Sequence, residues 1–305
     1  MLSISVIICA HNPKPAYLAQ VLEALKAQTL PLMEWELLLV DNVSRELLSA
    51  SVDLTWHPLA RHIREDELGK VPAFLCGIHE AKGELLIMVD DDNVLSPDYL
   101  AVANRYRLER PWMGSFSGQC EGVFEEPPAA WTKPFHSNLA IRELTRDRWS
   151  NLPSVNETMP NGAGMCVRKE VAEFYYKLHK TGKRPFKVDR IGKSLLSGGD
   201  NDLAACAADL GLGMGVFAAL KLKHLIPPER LTEDYLLRLA EGIAYSGVFV
   251  HSFRGILRLP PSLGRRLLDF IKIFFMSPRD RRFFLANKRG EKRGRRDMAK
   301  AVTGT

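Results

Sequence analysis

The sequence predicts an α/β fold in which a sheet carries helices on both of its faces. Over the first hundred residues, short apolar runs alternate with segments whose apolar residues recur at helical spacing. The apolar runs are continuous and rich in Val, Ile and Leu, which is typical of parallel strands buried on both faces. Proline and glycine stand near the segment boundaries, as expected for helix starts and stops.

The elements of this first part follow one another in a regular order. Strands are predicted at residues 3–10, 35–41, 59–65 and 84–90, and helices at residues 15–28, 69–81 and 96–110. Pro15 suits a first helical turn, and Gly83 ends the second helix. Ser96 and Pro97 supply an N-cap and a first helical position for the third helix.

The pattern changes after residue 110. We expect strands at 114–122 and 162–168, a loop rich in Pro and aromatic residues at 127–135, and helices at 169–181, 200–210, 232–244 and 262–276. Residues 289–300 are poor in apolar residues and are predicted to be disordered. The predicted regions are residues 1–228 (halves 1–110 and 111–228), a helical extension at 229–288, and a basic tail at 289–305.

The composition is that of a globular protein with an uneven charge distribution. The chain has 305 residues, of which 46% are hydrophobic and 26% charged, and its net charge is +6. Residues 254–305 contain 15 Lys and Arg against 4 Asp and Glu, a net +11, so the preceding residues carry −5. The five cysteines are scattered without a CxxC pair, which argues for a reducing cytosol. No secretory signal is expected at the start of the chain.

Acidic residues follow two of the predicted strands. Asp90, Asp91 and Asp92 come directly after the fourth strand, and Asp41 ends the second. Ligands bind beyond the carboxyl ends of parallel strands, and a cation offsets the repulsion between adjacent carboxylates. If the chain stays extended, Asp90 and Asp92 project to one side and offer oxygen donors that suit Mg²⁺ or Mn²⁺. The alternative is an acidic, solvated loop.

Several motifs in register continue this pattern along the chain. They are ISVIICAHN, WELLLVDNVS, GKVPAFLCGIHEAKGELLIMVDDDN followed by SPDYL, PNGAGMCVR, SGGDNDLA and KLKHLIP. In this order and spacing the sequence resembles the inverting family 2 glycosyltransferases of the GT-A fold over residues 3–228. The resemblance implies a Rossmann-like mixed sheet flanked by helices, with a C-terminal helical extension. It also implies a hexosyltransferase that moves a sugar from a nucleotide-sugar donor, expected to be a UDP-sugar, to a sugar or lipid-linked acceptor.

The resemblance implies roles for single residues. It makes Asp92 a ligand of Mn²⁺ or Mg²⁺, assisted by Asp90 and His224, and it makes Asp200 the general base. Nucleotide or donor contacts are implied for Ala10, His11, Asn12, Asp41, Lys70, Asp90, Asp91, Gly162, Ala163 and Gly164. Two positions depart from the pattern: Gly199 replaces a usual glutamate, and Phe74 stands where relatives often carry arginine, so that nucleotide or phosphate contact is either missing or supplied by Lys70.

Residue chemistry agrees with these roles and leaves alternatives open. A divalent cation stabilises the charge that grows on a diphosphate leaving group, and an inverting attack needs one general base. Asp200 also fits a helix N-cap, and the neighbouring Asn201 and Asp202 compete for its assignment. A lone histidine such as His224 is more often structural. The carboxylate of Asp41 and the glycines of the NGAG loop also suit ordinary turns.

The basic end of the chain predicts a surface interaction. Residues 262–284 mix Arg and Lys with Leu, Ile and Phe, without the apolar run of about 18 residues that a membrane span needs. This pattern is typical of an interfacial helix on an anionic membrane surface; the alternative is a docking helix with a solvated tail. The expected location is cytoplasmic, or peripheral on the cytoplasmic face of the inner membrane. No nucleic-acid partner is expected, because no recognition motif accompanies the tail.

Two other functions remain open from the sequence. A sugar-phosphate nucleotidyltransferase shares the nucleotide-binding layout, but those enzymes usually have a Gly-rich, Arg-containing loop where this chain has AHNPKPAY. A catalytically silent nucleotide-sugar-binding protein would keep the donor site and lack turnover.

Overall fold

The computed structural model describes residues 2–153, 156–184, 196, 198–256 and 259–303. The strands in this part of the chain are β1 (Ile4–Ala10), β2 (Trp35–Asn42), β3 (Ala60–Glu65), β4 (Leu85–Asp90), β5 (Asn93–Leu95), β6 (Met113–Phe124), β7 (Arg148–Ser150), β8 (Met165–Arg168) and β9 (Gly213–Ile226). The α-helices are α1 (Pro15–Lys26), α2 (Leu48–Ser51), α3 (Lys70–Glu80), α4 (Tyr99–Glu109), α5 (Lys169–Lys180), α6 (Gly199–Asp209), α7 (Glu233–Ser252), α8 (Leu263–Phe275) and α9 (Pro278–Thr303).

One mixed sheet joins all the strands of the described residues, in the order β3-β2-β1-β4-β8-β6-β9-β5, with β7 also paired to β9. The strands β1 to β4 run parallel, and β8 is antiparallel to both β4 and β6. Because β6 is in turn parallel to β9, the carboxyl ends of β1, β2, β4, β6 and β9 share one edge. The predicted α/β class with a mixed sheet is confirmed, and we call this edge the carboxyl edge.

Alternate residues of the central strands fill two separate cores, one on each face of the sheet. In β1, Val6 and Ile8 belong to the core that includes side chains of α1 and α4, whereas Ile7 belongs to the core of α3, α5 and α6. Burial on both faces explains why β1, β2 and β4 are continuous apolar runs in the sequence.

Several elements differ from their predictions. The sequence patterns do not predict β5, β7 or β9, and the expected loop at 127–135 contains a 3-10 helix, Ala130–Leu139. Ser96 is not the N-cap of α4, which begins at Tyr99 after Asp98. The reason is that the backbone of Ser96 is bound to neighbouring segments. Its N–H donates to the carbonyl oxygen of Lys221 in β9, and its carbonyl oxygen accepts a hydrogen bond from the side-chain amide of Gln28.

The described residues form two compact units. The first contains the described residues up to 184 together with Gly199–Pro228, and the second includes all described residues from Glu229 onward. The sequence patterns also place the start of a helical extension at residue 229. The division of the first unit into a nucleotide-binding half and an acceptor-side half stays a prediction.

The second unit contains an ordered helix where the composition predicts disorder. Residues 289–303 belong to α9, which packs along α7, while the last two residues lie outside the described chain. Gly290 permits this approach, because a Cβ there would overlap the carbonyl oxygen of Glu241. The carboxylate of Glu241 also pairs with Arg289 at 3.1 Å and Arg293 at 3.2 Å. Among the described helices, none has both the length and the hydropathy needed to cross a bilayer.

Candidate active site

The loops that follow β1 and β2 are bound to each other at the carboxyl edge. Ala10 is buried at the end of β1, and His11 Nδ1 donates to the carbonyl oxygen of Asn42 at 2.7 Å. Asn12 has a φ of 48° and donates its backbone N–H to Ser44 Oγ at 3.0 Å. The side chains of His11 and Asn12 are exposed, so they border the open edge at which the donor is predicted to bind.

Asp41 is held by the protein itself. Its carboxylate accepts hydrogen bonds from the backbone N–H of Ser44 at 3.0 Å and from that of Leu48 at 3.1 Å. It also forms an ion pair with Arg64 at 2.9 Å. Burial raises the pKa of Asp41, but these hydrogen bonds outweigh it, and the pKa lies below its ordinary value. Asp41 therefore fixes the loop after β2, and its contact with a nucleotide stays a prediction.

Lys70 pairs with the carboxylate at the end of β4. It is the first residue of α3, and its Nζ lies 2.6 Å from Asp90 Oδ1. The preceding Gly69, with a φ of 146°, donates its N–H to Asn42 Oδ1 at 2.8 Å, which fixes the start of α3. Phe74 is only 2% exposed and lies 5.3 Å from Lys70 Nζ, so it packs beneath the site and Lys70 supplies the positive charge.

The three consecutive aspartates do not lie on one extended strand. Asp90 ends β4, Asp91 and Asp92 form a turn, and β5 begins at Asn93. The chain therefore does not stay extended through Asp92, so alternation along a strand no longer supports a pairing of Asp90 with Asp92, and that pairing stays a prediction. Asp90 is held by Lys70, Asp91 is half-buried in the turn, and Asp92 is buried against β9.

Asp92 and His224 come together because β5 pairs with β9. The antiparallel register sets Asn93 opposite His224, and Asp92 Oδ2 lies 3.3 Å from His224 Nε2, with both side chains less than 10% exposed. His224 Nδ1 lies 2.9 Å from the carbonyl oxygen of Leu139, which can only accept, so Nδ1 carries a proton. In a neutral imidazole the Nε2 lone pair then faces a carboxylate, an arrangement that a bound cation stabilises.

A divalent cation fits the pair formed by Asp92 and His224. A carboxylate oxygen and an imidazole nitrogen, the latter oriented by a carbonyl, are ordinary ligands for Mn²⁺. The described residues contain no cluster of three His, Cys, Asp or Glu that could hold a metal ion, so the part expected of Asp90 as a ligand stays a prediction. Metals of this kind often complete their coordination with water and substrate phosphates, so two protein ligands suffice.

The glycine loop, residues 162–164, directly precedes β8 and lies against Asp200. A Cβ built on Gly162 would be 2.6 Å from Asp200 Oδ2. Gly164 has a φ of 65°, and its carbonyl oxygen accepts a hydrogen bond from Tyr99 at 2.6 Å. Ala163, between the two glycines, is buried. The structure thus brings the predicted donor loop and the predicted base together.

Asp200 and Asp202, the two candidates for the general base on α6, have different surroundings. Helix α6 begins at Gly199, so Asp200 lies inside its first turn instead of capping it. Asp200 Oδ1 accepts the N–H of Asn201 at 2.9 Å, and no described residue donates to its Oδ2. Asp202 instead forms a bidentate ion pair with the guanidinium of Arg184, with distances of 2.7 and 3.2 Å, and both side chains are about 5% exposed. Of the two carboxylates, Asp200 is therefore the one with an oxygen that no described residue engages, and its role as the base stays a prediction.

Sequence reasoning missed three polar residues of this site. Asn42 and Arg184 act through the contacts described above. The third, Asn161, precedes the glycine loop and donates from Nδ2 to the carbonyl oxygen of Ala140 at 2.9 Å. Its buried Oδ1 has no hydrogen-bond partner among the described residues. The signal for Asn161 was its place directly before Gly162, the first glycine of the loop; nothing in the sequence pairs Arg184 with Asp202.

The mixed sheet, with its acidic residues and glycine loop at one edge, defines a GT-A fold. Solved structures share this architecture at low sequence identity. S. aureus TarS 1–349 in complex with UDP-GlcNAc is 15% identical, with a TM-score of 0.53, covering 100% of this chain and 93% of that one. A mannosyltransferase from Pyrobaculum calidifontis, PcManGT, in complex with GDP-Man and Mn²⁺, is 15% identical, with a TM-score of 0.55, covering 94% of this chain and 86% of that one.

The chain belongs to glycosyl transferase family 2, whose family model matches residues 5–165. This confirms the family that the sequence motifs resemble. A curated relative, the uncharacterized glycosyltransferase YwdF of Bacillus subtilis (strain 168), is 29% identical over 99 residues. That match covers 32% of this chain and 36% of the relative, so it spans little more than a third of the relative's length.

Proposed function

We propose that this protein is a metal-dependent, inverting glycosyltransferase that moves a sugar from a nucleotide-sugar donor to an acceptor hydroxyl. The observation that carries the proposal is the arrangement at the carboxyl edge: the buried pair of Asp92 and His224 and, next to the glycine loop, an Asp200 Oδ2 that no described residue engages. Membership of glycosyl transferase family 2 supports it. The nucleotidyltransferase alternative has no such support.

The donor would bind along the ends of β1, β2 and β4. His11, Asn12 and Lys70 border this edge, and Lys70 offers a positive charge to the diphosphate. A divalent cation held by Asp92 and His224 would stabilise the negative charge that grows on the diphosphate as the glycosidic bond breaks. Asp90, paired with Lys70, is proposed to keep that lysine in place until the diphosphate competes for it.

The acceptor would be activated by Asp200. Its Oδ2 takes the proton from the acceptor hydroxyl while the hydroxyl oxygen forms a bond to the anomeric carbon and the nucleoside diphosphate leaves. A single displacement of this kind inverts the anomeric centre. Gly162 keeps the space beside Oδ2 open, because any side chain at that position would meet the carboxylate.

The chemical class of the substrates follows from the related structures only as a proposal. One related structure holds UDP-GlcNAc and another holds GDP-Man, which supports a nucleotide-sugar donor; a UDP-sugar is our first candidate. The acceptor is proposed to be a sugar or a lipid-linked sugar, in polysaccharide or glycolipid biosynthesis. The enzyme would act in the cytoplasm or peripherally on the cytoplasmic face of the inner membrane.

The test measures nucleoside diphosphate release from a panel of UDP- and GDP-sugars, with Mn²⁺ and with a chelator. We expect Mn²⁺-dependent release for at least one donor, and calorimetric Mn²⁺ affinity in the presence of UDP or GDP to fall by more than about tenfold in His224→Gln. Asp66→Asn is the matched control, since that carboxylate is 90% exposed. Donor turnover unaffected by the chelator would contradict metal dependence. Donor binding without any release would indicate a silent binding protein.

A further inference from the structure

Helix α8 in the second unit exposes an apolar surface. None of its thirteen residues, all of them described, is buried. Eight are large apolar side chains; Ile273 is half-buried, and the other seven, between Leu263 and Phe275, have exposed fractions from 45% to 86%. An isolated exposed leucine needs no explanation, but a helix that exposes seven such side chains marks an interaction surface.

These apolar side chains share one face, and basic residues flank it on both sides. At about 100° per residue, the seven fall within an arc of about 160°, with Leu267 near its centre. Arg265 and Lys272 lie beyond one border of the arc, and Arg266 lies beyond the other. Long basic side chains at such borders can reach past the apolar surface to anionic groups.

The polar side of α8 attaches it to the rest of the unit. Asp269, opposite the apolar arc, pairs with Lys288 of α9 at 2.7 Å. The guanidinium of Arg281 also donates to the carbonyl oxygen of Ile273 at 3.1 Å. Because both contacts engage the polar side, the apolar face points away from α9. Ser262 caps the helix by accepting the N–H of Arg265, so α8 is a complete helix rather than a frayed end.

We infer that α8 is an in-plane membrane anchor that inserts its apolar face at the boundary of headgroups and acyl chains of an anionic lipid surface. Its thirteen residues extend over about 20 Å, too short to cross a bilayer but suited to lying in the interface. The three flanking cations match anionic headgroups. A second copy of α8 would instead bring the same positive charges together in a symmetric contact, which disfavours self-association as the occupant. This anchor is independent of the proposed catalysis.

The test uses the full chain and sedimentation with vesicles of phosphatidylcholine alone or mixed with phosphatidylglycerol. We expect partitioning onto the anionic vesicles that weakens with salt. Leu267→Glu combined with Phe274→Glu should reduce it by more than about tenfold, because two apolar side chains lose their place in the interface. Arg265→Gln and Arg266→Gln should each reduce it about fivefold on anionic vesicles and leave neutral ones unaffected.

The controls distinguish membrane anchoring by α8 from nonspecific adsorption of exposed apolar side chains and from effects on catalysis. Leu108→Glu, on α4 of the first unit, changes a leucine that is 63% exposed and should leave partitioning unchanged. The α8 variants should keep the wild-type Tm and donor hydrolysis in vesicle-free solution, since no altered side chain is buried. Equal partitioning of wild type and the α8 double variant would overturn the inference. So would a wild-type dimer, detected by light scattering, that the double variant dissociates while vesicle binding is absent. Loss of hydrolysis in every sample would count against the proposed function alone.

Discussion

The substitution Asp202→Asn should destabilise the first unit. The substitution Asp200→Asn should instead abolish catalytic turnover and leave the stability of the unit nearly unchanged. The two carboxylates are two residues apart on α6, yet their surroundings differ. Asp202 is nearly fully buried and pairs with Arg184 through both of its oxygens. Asp200 is half-buried, and one described N–H donates to it. The paired substitutions therefore separate a structural role from a catalytic one.

The expected magnitude at Asp202 follows from its ion pair. Removing one partner of a buried pair costs about 3–5 kcal/mol, because the remaining charge is left without compensation. Asparagine keeps one acceptor, and Asp209 lies 3.7 Å from Arg184 and can partly replace the lost charge. We therefore expect the lower end, about 3 kcal/mol, which corresponds to a Tm lower by about 6–12 °C for a unit of this size.

At Asp200 the expectation is reversed. Asparagine is nearly the same size, and its side-chain oxygen can still accept the N–H of Asn201, so Tm should change little. Loss of the proton acceptor should reduce kcat by about 10²- to 10⁴-fold, with donor affinity retained.

Three measurements on the same preparations decide the matter: thermal unfolding, calorimetric donor binding with Mn²⁺, and release of nucleoside diphosphate at saturating donor and acceptor. The assay temperature stays well below the lowest Tm, so that lost activity does not reflect unfolding. Full activity in Asp200→Asn would remove the base assignment. An unchanged Tm for Asp202→Asn, together with lost turnover, would transfer the catalytic role to Asp202.

Three further expectations concern other parts of the chain. Gly162→Ala should lower kcat by at least about tenfold with donor affinity less affected, because the added methyl group would lie 2.6 Å from the base; wild-type kinetics would show that the loop can move aside. Asp41→Asn should lower the free energy of unfolding at pH 7 by about 1–3 kcal/mol. The lowered pKa of Asp41 makes its stabilisation complete above the unfolded-state value, so the difference should shrink as pH falls below about 4, and urea titrations at several pH values check this. Gly290→Leu should lower the helical circular-dichroism signal and the Tm of the second unit, because a side chain there would overlap the carbonyl oxygen of Glu241. Gly264→Leu on α8 should lower neither, because a Cβ at that position would meet no atom within 4 Å.

The sequence predicts most of the first hundred residues because each element there carries its own local signal. In β1, β2 and β4, continuous apolar runs coincide with strands to within one residue. In β9, glycines and lysines interrupt the apolar residues, and its strand structure depends on pairing with β6. For α9, local composition was misleading: its arginines face carboxylates of α7, a long-range compensation that composition does not show.

Within the candidate site, residue types could be assigned from the sequence, but their groupings could not. The motifs placed the aspartates, the glycine loop and His224 at a common site. Alternation along an extended chain predicted that Asp90 and Asp92 act together, but the turn before β5 directs them to different partners. Likewise, the buried guanidinium of Arg184, which the sequence does not pair with either carboxylate, distinguishes Asp202 from Asp200. Turns and pairings between distant segments determined these outcomes.

The short β5–β9 ladder has a consequence for anyone who exchanges segments of this protein with those of relatives. Successive side chains of a strand point to opposite faces, so one residue inserted between Leu222 and His224 would shift the register and turn the imidazole away from Asp92. Chimeras that exchange segments around the site should therefore leave the residue spacing within β9 unchanged. By this rule, a graft with an insertion in β9 would lose the contact between Asp92 and His224, and with it the proposed metal site, even if the hybrid folded normally.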